Sequence, residues 1–111
     1  MMEFDKILST EYSSDFDKKR KNRMIMSYYK YGPIKINYGD SRLVNSIDSL
    51  KVRLAKYEET GNTEFLADIA NFAMIEYMHP QHPNAHFKAT DSDESPGLVG
   101  MSINEIKSFT D

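Results

Sequence analysis

Apolar and polar positions follow a helical period along most of this chain, and three helices can be read from them. Residues 14–31 carry a mixed charged and aromatic pattern that starts at the acceptable caps Ser14 and Asp15. That helix stops at Gly32-Pro33, a left-handed terminator followed by a breaker. A connection over 32–40, containing Tyr38-Gly39-Asp40, leads to a second helix over about 41–59. There Leu43, Ile47, Leu50, Leu54 and Tyr57 are spaced four and three apart, a narrow stripe suited to packing on another helix. Gly61 ends it and Asn62 or Thr63 caps the next helix, over about 63–78. So short a link predicts antiparallel neighbours.

The helix over 63–78 is apolar almost all the way round, interrupted by Glu64, Asp68, Asn71 and Glu76. Such a helix belongs in the middle of a bundle or at a subunit interface. Pro80 and Pro83 prevent its continuation. Residues 79–100, rich in Pro, Asp, Ser and Gly, read as a long ordered loop. Ser102-Ile103-Asn104-Glu105 matches a capping box and opens a short last helix to about Phe109. Residues 1–13 read as a helical or irregular lead-in, and Ile34-Lys35-Ile36-Asn37-Tyr38 is too short and isolated for a strand. The expectation is one all-α domain over 1–111, a small bundle built on the 41–59 and 63–78 hairpin. A homodimer is expected too, because three helices do not easily cover so apolar a helix.

Composition narrows the class without fixing an activity. At 111 residues, with 40% apolar and 28% charged residues, the chain fits an ordinary globular domain. A net charge of −3 gives no general attraction to phosphate backbones and argues against nucleic acid as the partner. With no cysteine, disulfides and thiolate zinc sites are excluded, and a reducing cytoplasm fits. No apolar run is long enough for a membrane span, and the N-terminus lacks the pattern of a secretory signal. Seven Met, six Phe and seven Tyr suit an adaptable core or a partner-binding face.

Glu64, Asp68, Asn71 and Ile75 share one helical stripe. Glu64 and Asp68 could ligate one Mg²⁺, with Asn71 adding a ligand contact. Alternatively the stripe is the solvent face, with Glu64 favourable near the helix N-terminus. Glu76 shares a different stripe with Phe65, Ile69 and Phe72. If buried it needs a partner such as Arg53, Arg23 or Lys56, or a raised pKa.

His79, His82 and His86 are the only histidines, followed by Asp91, Asp93 and Glu94. The interleaved prolines favour a rigid loop over a zinc site, since they break the helix that usually sets ligand spacing. The basic run Lys18-Lys19-Arg20-Lys21-Asn22-Arg23, followed by Tyr28, Tyr29 and Tyr31, could meet phosphates and stack on bases. On a helix, however, such a run spreads over every side. Glycine-rich phosphate loops, a Ser-His-Asp order and HExxH are absent.

Over roughly residues 24–78 the chain resembles a known family. The residues that carry the likeness are Tyr29-Lys30-Tyr31-Gly32, Lys35, Tyr38-Gly39-Asp40, an Arg-containing helix, Glu59-Thr60-Gly61, and Leu66-Ala67-Asp68-Ile69-Ala70-Asn71-Phe72-Ala73-Met74-Ile75-Glu76-Tyr77. They look like the all-α nucleotide pyrophosphohydrolases, the MazG-like superfamily, and most like its phage dATP/dGTP diphosphohydrolase-like branch. The resemblance implies Mg²⁺-dependent hydrolysis of a (deoxy)nucleoside triphosphate to the monophosphate and pyrophosphate. It implies Asp68 and Glu64 as metal ligands and Glu76 as a further carboxylate of the catalytic set. Asn71, Lys30, Lys35 and Tyr38 become ligand contacts.

The chain departs from the family pattern at two places. Phe65 stands where the Glu of the Glu-x-x-Asp pair belongs, and the preceding helix lacks a Glu-x-x-Glu pair. These departures open an alternative: a non-catalytic phage or mobile-element accessory protein. Such a protein would inhibit a host defence enzyme by direct binding, or sequester a nucleotide signal. Its docking surface would use Tyr28, Tyr31, His82, Asp91, Asp93 and Glu94.

Overall fold

The computed structural model describes residues 2–40 and 42–90. Among them it contains only helices and connections: α1 (Met2–Glu11), α2 (Ser14–Tyr31), a π-helical turn (Lys35–Asp40), α3 (Ser46–Thr60) and α4 (Glu64–Met78). The all-α class is as the sequence predicts.

α2 spans the predicted range, but its cap lies one residue earlier. The Ser13 side chain accepts from the Phe16 amide at 2.9 Å, and Asp15 and Asp17 sit in the positive first turn. Gly32, at φ 88°, turns the chain out of the helix while its amide bonds the Tyr28 carbonyl at 2.8 Å. Within the basic run, only Arg20 and Arg23 are drawn out of full exposure, whereas Lys18, Lys19, Lys21 and Asn22 stay in solvent.

The second predicted helix is corrected at its start. It begins at Ser46 rather than 41, because Asn45 is the stronger cap: its side chain accepts from the Asp48 amide at 3.0 Å. The residues before it are held elsewhere. The Val44 amide bonds the Asn37 carbonyl at 3.2 Å, and Arg42 takes φ 51°. Leu43, assigned to the helix stripe from its spacing, therefore lies off the helix and is exposed. At the far end Gly61 takes φ 72° and its amide bonds the Tyr57 carbonyl at 2.7 Å. Thr63 occupies the cap position of α4 without a side-chain bond, and the Asn62 side chain accepts from the Glu64 amide instead.

α4 is the central element, with α3 and α2 packed against it. Ser46 at the start of α3 meets Glu76 near the end of α4, and Arg53 further along meets Asp68. α3 therefore runs antiparallel to α4. Arg20 meets Asn71 while Arg23 meets Asp68 and Glu64, so α2 is antiparallel to α4 as well. Ala67 and Ile75 are the buried apolar residues among those described, with Ser46 and Asn71 buried beside them.

The stripe of Glu64, Asp68, Asn71 and Ile75 is a solvent face only at Glu64, which is exposed. It turns toward α2, and its lower members are among the most buried residues described. The sequence of residues 1–13 fits a helical or an irregular lead-in, and α1 resolves it as helical. Its side chains from Glu3 to Glu11 are all exposed. Residues 79–90 form a connection without regular helix or strand after Met78. The rest of the predicted loop and the helix over 102–109 lie outside the described residues.

Candidate functional site

α2, α3 and α4, together with the connection after α2, line a cleft of about 930 Å³. Its size lies in the range of small-molecule sites, about 300–1,000 Å³. α2 contributes Arg23, Ser27, Lys30 and Tyr31; α3 contributes Ser49 and Arg53; α4 contributes Asp68, Asn71, Phe72 and Ile75. Asn37 and Tyr38 reach it from the π-helical turn. That turn is held in place by the Asn37 side-chain amide, which donates to the Tyr31 carbonyl at 2.9 Å.

The cleft's electrostatics are set by two arginines. Arg23 donates Nε and Nη2 to the two oxygens of Asp68, the latter at 3.2 Å, and Nη1 to Glu64 Oε1. Arg53 Nε lies 3.4 Å from Asp68 Oδ2, and its guanidinium stands 5.9 Å from the centre of the Phe72 ring. The Asp68 carboxylate holds the Arg23 pKa above its ordinary value; desolvation pulls it the other way, and Glu64 adds to the rise. Tyr38 packs 6.4 Å from Phe72 at 50°, and burial there pushes its phenol pKa up. The Lys30 ammonium lies 5.2 Å from the Tyr31 ring centre.

Asn71 is only 5% exposed. Its Nδ2 donates to the Arg20 carbonyl at 2.9 Å, while its Oδ1 has no hydrogen-bond partner among the described residues. Most buried polar atoms are bonded, so this acceptor stands out.

The residues present do not fit a resident Mg²⁺ held by Glu64 and Asp68. Both carboxylates are engaged by guanidinium groups. Among the described residues no cluster of three or more His, Asp or Glu forms that could complete a metal shell.

Glu76 stands apart from the cleft. None of the anticipated cations pairs with it. Ser46 Oγ, fully buried, donates to its Oε1 at 2.6 Å, and the Gln81 amide donates to its Oε2 at 2.8 Å. Burial is the largest single influence on Glu76 and pushes its pKa up. The hydrogen bonds from Ser46 and the 81–82 backbone, with the nearby His82, outweigh it and leave the pKa lowered. Gln81 Nε2 also donates to the Val44 carbonyl at 2.9 Å, so this group fastens the chain after α4 to the start of α3.

The remaining sequence-selected residues are dispersed. Lys35 is exposed on the π-helical turn and Tyr28 on α2, neither lining the cleft. His79 packs on Gly39, where a Cβ would meet its Nδ1 at 3.0 Å. His82 is exposed and its Nδ1 accepts from the Asn84 amide at 3.0 Å. Asp91, Asp93 and Glu94 lie outside the described residues.

Arg23, named from the sequence in the basic run and as a partner for Glu76, and Arg53, named only as such a partner, join Lys30 as cations lining the cleft. Their signal was present in part: Arg20, Arg23, Met24 and Ser27 recur at helical spacing and define one face of α2.

Comparison with family models, with curated proteins and with solved structures finds no match. Among the described residues, no helix is long and apolar enough to cross a membrane.

Proposed function

We propose that this chain is a nucleotide-binding protein that holds a nucleoside polyphosphate in the cleft between α2, α3 and α4 and releases it unhydrolysed. The observation that carries this reading is the pairing of Arg23, Arg53 and Lys30 with the Tyr38 and Phe72 rings in one cleft. Guanidinium groups match phosphate oxygens in charge and geometry. Aromatic faces accept a base whatever its identity. Of the two sequence-based readings, this supports the one in which a nucleotide is bound and sequestered. The guanidinium-bound state of Glu64 and Asp68 weighs against turnover through a carboxylate-held metal. The MazG-like resemblance stays compatible with a shared scaffold put to use as a binder in a reducing, cytoplasmic setting.

A thermal-shift series with nucleoside triphosphates, with and without Mg²⁺, tests this reading when coupled to an assay for pyrophosphate. Free ligand at 100 times Kd stabilises by about 2.7 kcal/mol. A clear rise in Tm with no pyrophosphate supports the reading, and pyrophosphate release would replace it with the pyrophosphohydrolase. No shift with any nucleotide would leave the host-protein inhibitor as the better account.

The partner chemistry of that second account has its own supporting observation. Tyr28, Tyr29 and Tyr31 are all exposed at the end of α2, Tyr29 to 84%. A homodimer is proposed with either reading. Phe4, Ile7 and Leu8 on α1, Ile25 and Met26 on α2, and Val52 and Leu54 on α3 all lie at the surface, while few apolar residues are buried. Exposed apolar area of this kind marks interfaces. Sedimentation equilibrium decides between a dimer and a monomer.

A further inference from the structure

We propose that Glu76 is a positioning residue for the cleft: through Gln81 and Val44 it holds the π-helical turn where Asn37 and Tyr38 form part of the cleft wall. The inference rests on the nucleotide-binding reading above and deepens it by naming what sets the shape of that site.

The sequence after α4 gives Glu76 its first task. Pro80 and Pro83 carry no N–H, so the amides of Gln81 and His82 are the donors between them. Glu76 Oε2 accepts from the Gln81 amide at 2.8 Å, and the His82 amide also favours the charged carboxylate. Ser46 Oγ donates to the other oxygen at 2.6 Å. Ser46 is fully buried at the start of α3, and α3 packs on α4. The carboxylate is therefore a fixed point between two packed helices, and the chain after α4 is fastened to it.

From that point the ties run to the cleft. Gln81 Nε2 donates to the Val44 carbonyl at 2.9 Å, and the Val44 amide donates to the Asn37 carbonyl at 3.2 Å. The Asn37 side chain donates in turn to the Tyr31 carbonyl. His79 lies against Gly39 in the same turn, so close that an added Cβ would stand 3.0 Å from its Nδ1. Asn37, Tyr38 and Val44 line the cleft, and Tyr38 stands 6.4 Å from Phe72. Six residues of π-helix are too short to keep their shape unaided, so these outside ties set where Tyr38 stands.

The test uses the full chain labelled with 3-fluorotyrosine. Its fluorine NMR signals for Tyr38 and for Tyr57, at the far end of α3 from Ser46, are assigned with Tyr38→Phe and Tyr57→Phe. Gln81→Ala removes the side-chain tie and keeps the amide that Glu76 holds, whereas Glu76→Gln removes the charge and one acceptor oxygen. Both variants should move the Tyr38 signal and leave that of Tyr57 in place. Both should also weaken, by about 5-fold or more in calorimetry, whichever of ATP, GTP, CTP and UTP the unaltered protein binds. An unmoved Tyr38 signal overturns the positioning role. A Tyr57 signal that moves as much as that of Tyr38 marks a general loosening and overturns it too, as does a moved Tyr38 signal with unchanged affinity. Should Glu76→Gln fail to fold, Gln81→Ala decides. If the unaltered protein binds no triphosphate, the nucleotide reading falls, and the Tyr38 signal alone decides for or against Glu76 as the residue that holds the wall.

Discussion

Arg23 of α2 grips both carboxylate oxygens of Asp68 on α4, and Arg53 of α3 approaches the same carboxylate from the other side. One acidic residue on the central helix thus ties together all three helices that form the cleft. Asp68 is 14% exposed and Arg23 38%, so the pair lies between a surface bridge and a buried one. Replacing Asp68 with Asn should destabilise the fold by about 1–2 kcal/mol. A double-mutant cycle with Arg23→Met, followed by urea unfolding, should give a coupling of about 1 kcal/mol. Strict additivity would show that the two side chains do not interact in solution.

Arg53 sits where it can serve both Asp68 and a bound phosphate. Arg53→Ala should weaken triphosphate binding by about 10-fold or more, whereas Arg53→Lys should recover part of it, since a lysine keeps the charge but loses the planar fork. Calorimetric titration of both variants measures this. Unchanged affinity in Arg53→Ala would place the phosphates elsewhere.

The Ser46–Glu76 contact predicts a pH-dependent loss of stability. The folded pKa of Glu76 is lowered, so its contribution is fully present above the unfolded value, about 4.3, and is lost as pH falls through the folded value. Ser46→Ala removes the buried hydroxyl donor and should cost about 1–2 kcal/mol at pH 7. That difference between variant and parent should shrink below about pH 4 as Glu76 protonates. Thermal melts from pH 7 to pH 3 report it, and a constant difference would argue against the hydrogen bond.

Gly61 joins α3 to α4 at φ 72° with open space where a Cβ would stand. Gly61→Ala therefore meets no clash and incurs only the backbone cost of a left-handed alanine, about 1 kcal/mol. Chemical denaturation should show this drop while nucleotide affinity stays unchanged. A silent substitution would mean that the turn readjusts.

The punctuation of this fold was legible along the chain. Gly32-Pro33 and Gly61 end helices because glycine reaches left-handed backbone without a steric penalty, and the short link at 61–63 leaves no room for anything but an antiparallel hairpin. The start of α3 was misplaced because Leu43 falls on the helix period by chance. Only the capping of Asn45 and the Val44–Asn37 bond take it off the helix. Glu64, Asp68 and Asn71 could be grouped from spacing, but their partners could not. Arg23 lies 45 residues from Asp68, and nothing local encodes so distant an ion pair.

The sequence by itself determined three helices, α2, α3 and α4, and where each of them stops, and it placed α4 in the middle of a bundle or at a subunit interface. Local backbone preferences and a 3.6-residue period carry that information. Tertiary structure decided which way α4 faces, because a helix apolar on nearly every side has no face of its own until neighbours pack against it. Docking of α2 turned Asp68 toward arginine rather than solvent, and buried Asn71 with one amide atom bonded and the other free. Burial leaves that oxygen without a hydrogen-bond partner among the described residues.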